Sequence, residues 1–165
     1  MAANHVPLRC NRGFTLVELI VAMVIVATLA AIAIPSYSSY VLKSHRTEVK
    51  SALMDAASLE ERYFSTANLY TGNPQQLGYG VTTMNFPVGS GSYYLIQNIN
   101  VGAPLPPSAA VPGGTPANFL ITAVPNPATM QINDTSCWTW TISSTGQQTA
   151  LTQGGTDNTA SCWQN

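Results

Sequence analysis

Two histidines, three cysteines and seven carboxylates are the side chains able to carry acid–base, nucleophilic or metal chemistry in this 165-residue chain. A serine or cysteine nucleophile needs a base within hydrogen-bond reach, most often histidine. His5 lies at the start of the chain, and His45, between Lys43 and Arg46, reads as an exposed helix residue rather than a ligand. Asp134 and Asp157 are the only charged residues after Arg62. Two separated carboxylates make a poor calcium site and no zinc site. Gly89-Ser90-Gly91 is too short to cradle a phosphate. The residues thus predict no catalytic group, no metal and no cofactor, so the chain reads as something other than an enzyme. One carboxylate stands out. Glu18 lies inside an apolar run, where a charge costs roughly 2.5–3.5 kcal/mol at the centre of a membrane span and less near its end. Such residues usually face a partner, although a helix start, with its dipole, also favours a carboxylate.

The elements that place these residues follow from pattern. Residues 14–34 read FTLVELIVAMVIVATLAAIAI, polar only at Thr15, Glu18 and Thr28. Twenty-one residues of helix are roughly 30 Å long, the thickness of a bilayer's hydrocarbon core. The run is apolar on every side, unlike a soluble amphipathic helix. Arg9 and Arg12 precede it as the basic end of a secretory signal would, and Ala31-Ile32-Ala33 matches a small-residue cleavage site. Lys43, Arg46 and Lys50 follow it, so basic residues on both sides leave its orientation open. After Pro35, Leu42, Val49, Leu53, Ala56, Leu59 and Tyr63 recur at helical spacing. Lys43, Arg46, Lys50, Asp55, Glu60 and Glu61 fall mostly off that stripe, predicting an amphipathic helix to about residue 66 with a solvated charged face. Beyond it, residues 93–101, 119–124, 137–143 and 148–152 read as strands of a small antiparallel sheet, separated by Gly-, Asn- and Pro-rich connections at 68–92 and 102–118. Asn133-Asp134-Thr135 matches a glycosylation sequon but reads as an ordinary turn. Only 8% of the chain is charged, with formal net charge -1, and no Lys, Arg or His occurs after Arg62. That excludes a strongly basic nucleic-acid binder.

The stretch Arg12-Gly13-Phe14-Thr15-Leu16-Val17-Glu18 resembles the processing site of type IV pilins, and Pro35 falls where that family carries a proline. Glu60-Glu61-Arg62-Tyr63-Phe64 with Tyr70, and the ending Cys162-Trp163, resemble the type IVa, PilE-like subgroup, which also contains the DNA-uptake minor pilin ComP. The resemblance implies an α+β pilin fold: a leader at residues 1–13, an apolar membrane and filament-core helix at 14–35, an amphipathic helix at 36–66 and a globular β head at 67–165. It implies cleavage between Gly13 and Phe14 by prepilin peptidase and N-methylation of Phe14, with the apolar helix retained. Assembly residues carried over are Phe14, Glu18 and Pro35. The Glu18 carboxylate of one subunit would meet the Phe14 ammonium of another, since opposite charges in an apolar core cost less paired than alone. The sequence departs from the family at Ala27, where many members have a helix-weakening Gly. With Cys10 in the leader, Cys137 and Cys162 are left as an even pair outside the cytoplasm, for which a disulfide is expected over two free thiols.

The expected function is a structural subunit of a type IV pilus serving adhesion, twitching motility or DNA uptake by the filament. Its partners would be other pilin subunits, the prepilin peptidase/N-methylase, the inner-membrane assembly machinery and, before assembly, the membrane itself. Its location would be the inner membrane and then the extracellular pilus. A DNA-binding uptake receptor and a type II secretion pseudopilin are the alternatives. The head lacks the Lys and Arg that phosphate contacts need, which speaks against nucleic acid binding there.

Overall fold

In the computed structural model, residues 14–81, 86–87, 92–102 and 118–164 are described, with the backbone alone at 86–87. The chain divides into two compact units, Met1–Ser39 and Tyr40–Asn165. Helix α1, Leu16–Ala67, supplies all the secondary structure described in the first unit and continues into the second. It opens on Thr15, whose hydroxyl accepts from the Glu18 N–H at 3.3 Å. Thr15-x-x-Glu18 is the sequence of a capping box, and it puts the carboxylate on the first turn, where the helix dipole favours it. Pro35 lies inside α1. It withholds one amide donor from the turn before it, yet the helix runs on. The helix ends at Asn68, in the left-handed region at φ 59°, whose N–H donates to the Phe64 carbonyl at 2.8 Å. Asn tolerates that conformation better than other non-glycine residues.

Within Tyr40–Asn165, α1 buries Val49, Leu53, Ala56 and Glu60 along one face. Three of the four belong to the stripe expected from the sequence. The fourth does not: Glu60, placed among solvated charges by its periodicity, is completely buried. Each buried Val or Leu contributes about 1.5–3 kcal/mol relative to exposure.

The sheet is an antiparallel meander in the order β1-β2-β3-β4-β5: Phe86–Pro87, Tyr94–Val101, Phe119–Pro125, Thr139–Ser143 and Gln148–Leu151. Four of these match the expected strands to within two residues at each end. The two-residue β1 falls in the 68–92 connection, whose Gly-, Asn- and Pro-rich composition predicts no strand. The register of β2 against β3 shifts between Ile96 and Asn98, leaving Gln97 as an extra residue. Side chains alternate across a strand, so one extra residue switches which parity faces inward. Tyr94 and Ile96 are buried before the shift and Ile99 after it, so the bulge keeps Asn98 from facing the core. Phe119, Ile121 and Ala123 of β3, Trp140 and Ile142 of β4 and Ala150 of β5 complete the inner face, in one cluster with the α1 stripe. Trp140 is packed edge-on by Tyr94 and Trp163 at ring separations of 6.2 and 5.4 Å.

Two short elements were not foreseen: a 3-10 turn, Met130–Asn133, and helix α2, Thr159–Trp163. Asn133 of the sequon closes that 3-10 turn. Cys137 and Cys162 are joined by a disulfide that ties α2 to the approach to β4.

Candidate functional site

The expected assembly residues lie on the first unit. Phe14 is 84% exposed, and Leu16 to Ile34 expose a large apolar side chain on every side of the helix. Among the described residues, α1 is the one helix long and apolar enough to cross a membrane, and none of its apolar window is buried. Such a surface is far larger than the apolar patches of soluble monomers. Glu18, also exposed, is one turn from Phe14. Gly13, Arg12 and the rest of residues 1–13, with Cys10 and His5, lie outside the described residues, as does 103–117 of the Pro-rich connection.

In the second unit the charged residues of α1 are tied inward more often than their spacing suggested. Arg46 donates from Nε and Nη2 to the two carboxylate oxygens of Asp134, both at 2.8 Å. The two side chains are 12% and 3% exposed. Gln131 Nε2 lies 3.1 Å from Asp134 Oδ2, 3.2 Å from the Leu42 carbonyl and 2.7 Å from the Tyr94 hydroxyl, and its two hydrogens are shared among these three acceptors. This buried network clamps the 3-10 turn to α1 and β2. Asp134, taken as isolated, is therefore the partner of a cation 88 residues away. Lys50 donates to the Trp163 carbonyl at 3.1 Å, and burial, followed by the nearby Arg46 charge, lowers its pKa. His45 stacks on Tyr93 with ring centroids 3.4 Å apart. Glu48 accepts from the Ser92 hydroxyl at 2.8 Å and the Tyr93 N–H at 3.2 Å. The run 43–50 is thus not a simple solvated face.

At the far end of α1, Glu60 Oε2 accepts from the Thr71 N–H at 3.0 Å, whereas Oε1 is buried without a hydrogen-bond partner among the described residues. Burial raises its pKa to about 7; the Thr71 bond opposes the rise and the Glu61 charge adds to it. Glu61 accepts from the Tyr70 hydroxyl at 2.9 Å. Burial, then that bond, pushes Tyr70 up to about 12. Lys43 and Arg62 remain as exposed cations on the helix. A cleft of about 790 Å³ beside Lys43 is lined by Tyr40, Ser44, Arg46, Thr47, Ser136, Asn158 and Ser161. Its lining side chains all carry polar groups, and the Arg46 guanidinium among them is already neutralised by Asp134. Among the described residues no group of three or more His, Cys, Asp or Glu is gathered as a metal site would require.

Two family models match the chain. One, described as type IV minor pilin ComP, DNA uptake sequence receptor, covers residues 35–141. The other, described as the prokaryotic N-terminal methylation motif, covers residues 8–34. The chain is 35% identical over 69 residues to the type IV major pilin protein PilA of Myxococcus xanthus, covering 42% of this chain and 31% of that protein. It is 31% identical over 104 residues to fimbrial protein Q of Moraxella bovis, covering 58% and 61%. It is 37% identical over 70 residues to the type IV wide pilus major component PilA4 of Thermus thermophilus, covering 42% and 53%. The matched part of the chain spans less than two thirds of each of these relatives.

Proposed function

The chain belongs to the type IV pilins, in the ComP family whose model covers residues 35–141, and from that premise we propose that it is a filament subunit polymerising through α1. The observation that carries this reading is the apolar helix, exposed on every side and carrying one carboxylate on its first turn. Only a bilayer or a bundle of similar helices can cover such a surface, and a bundle gives Glu18 an opposite charge to meet. Cleavage between Gly13 and Phe14 would create that charge as the Phe14 ammonium, and the methylation-motif match over residues 8–34 supports this processing. Pro35 then marks where the bundled part of α1 gives way to the part that packs on the head. Adhesion, twitching motility and DNA uptake by the filament are roles such a subunit would serve, after a stage in the inner membrane.

A second reading, the DNA-uptake receptor, is favoured by the description of the matching family model. Against it stands the chemistry of the head. No Lys, Arg or His occurs after Arg62, Arg46 is neutralised by Asp134, and Lys50 is turned to a backbone carbonyl. Phosphate binding relies mainly on such cations. Quantitative mass spectrometry of sheared filaments should find residues 14–165 starting at a methylated Phe14. Glu18→Ala should remove the protein from filaments while leaving it in the membrane; normal incorporation of that variant would overturn the assembly reading. Tight, salt-sensitive DNA binding by the purified full-length protein would favour the receptor.

A further inference from the structure

We propose that Glu60 is a proton-operated latch: neutral, it holds the segment 68–81 closed against α1 and β2, and ionised, it releases that segment. The geometry has three parts. The carboxyl is fully buried, and one oxygen is bound by the Thr71 N–H while the other meets no donor among the described residues. A neutral carboxyl tolerates that arrangement; a carboxylate there lacks the second set of hydrogen bonds that water would give it.

The segment it holds is tightly seated. Tyr70 and Leu77 are buried, Phe64 stacks on Tyr70 at 4.6 Å and Phe119 meets it edge-on at 4.9 Å. A methyl group added at Gly72 would stand 3.2 Å from the Ile99 carbonyl oxygen of β2. Movement of 68–81 is therefore the direct way to bring water to Glu60.

The neighbouring titratable groups do not supply a counter-charge. On α1 the Glu61 carboxylate raises the proton affinity of Glu60. Asp55 acts on Tyr79 of the segment, whose phenol also feels Glu60. Tyr70 stays protonated and is engaged by Glu61. Arg62 is exposed, and two residues along a helix turn it about 200° from Glu60. From β2 and β3, the Ile99 carbonyl, the Val101 side chain and the Phe119 ring face the segment, and none of these titrates.

The latch is independent of filament assembly, so its test and that of the pilin reading fail separately. Full-length protein in detergent micelles would be followed by hydrogen exchange at pH 5.5 and 8.5. With the closed carboxyl titrating about 7 and the open one about 4.5, opening of 68–81 should rise roughly 30-fold between these conditions, after correction for intrinsic exchange. Exchange in β3 and β4 should change far less, and Glu60→Gln should flatten the response of 68–81. Unchanged protection in the wild type, or an undiminished response in the variant, would overturn the latch. Should Glu60→Gln fold poorly, carbon-13 titration of the wild-type Glu60 carboxyl decides: a midpoint near 7 supports it, and one near 4.5 refutes it.

Discussion

Removing either partner of the Arg46–Asp134 pair should damage the head more than its loss of one surface ion pair would. Breaking a buried pair typically costs about 3–5 kcal/mol, against about 0–1 for an exposed one. The two partners are not equivalent. In Arg46→Ala the Asp134 carboxylate, with a side chain only 3% exposed, keeps the Gln131 amide but loses both charged donors. In Asp134→Ala the freed guanidinium is 12% exposed and sits on a long stem that can carry it toward water. The expected costs are about 3–4 kcal/mol for Arg46→Ala and about 2–3 for Asp134→Ala, with the double variant less than additive by about 2. Urea unfolding of the full-length protein in non-ionic detergent, followed through the near-ultraviolet signal of the packed Trp140, reads all three. Repeating the cycle at 1 M salt separates burial from surface attraction, because buried pairs are weakly screened. Single costs below about 1 kcal/mol with no coupling would show that the clamp contributes nothing and that the 3-10 turn is held by packing alone.

Glu60 gives a pH dependence whose sign follows from its environment. Its folded pKa, about 7, lies above the unfolded value of 4.5, so the contribution of Glu60 to folding stability is fully present below about pH 4.5 and is lost as pH rises through 7. The full change is about 3 kcal/mol, and urea midpoints at pH 4.5, 6 and 8 should decline in that order in the wild type but much less in Glu60→Gln. Replacing Cys137 and Cys162 together by Ser opens a loop of 25 residues and should cost about 3–4 kcal/mol in the chain-entropy account. A loss of under 1 kcal/mol in equilibrium unfolding would show that α2 is held by its other contacts, such as the Lys50 and Trp163 hydrogen bonds.

Local pattern made the larger elements legible. The uninterrupted apolar run announced α1, and Thr, Ile and aromatic residues between turn clusters marked β2 to β5. Cys137 and Cys162 could be paired because no other cysteine follows residue 10. What periodicity cannot supply is a partner on a distant element. The Arg46–Asp134 ion pair, the His45–Tyr93 stack and the Glu48 contacts all join α1 to residues more than forty positions away. Glu60 was misplaced for a related reason. The donor that makes its burial tolerable is a backbone N–H, which Thr71 shares with almost every residue and which leaves no mark in the sequence. The 3-10 turn and α2 are too short to show a period at all. In each case, the side-chain clue was visible but the geometry that gave it meaning was not.

The uniform surface of α1 before Pro35 bears on how a subunit would change surroundings. A helix with one apolar stripe must rotate, unwind or expose that stripe when its neighbours are exchanged. This one has no preferred side from Leu16 to Ile34, so lipid tails and other helices are near-equivalent hosts for it. If the chain moves from bilayer to filament as proposed, the hydrophobic effect scarcely distinguishes the two surroundings of this stretch.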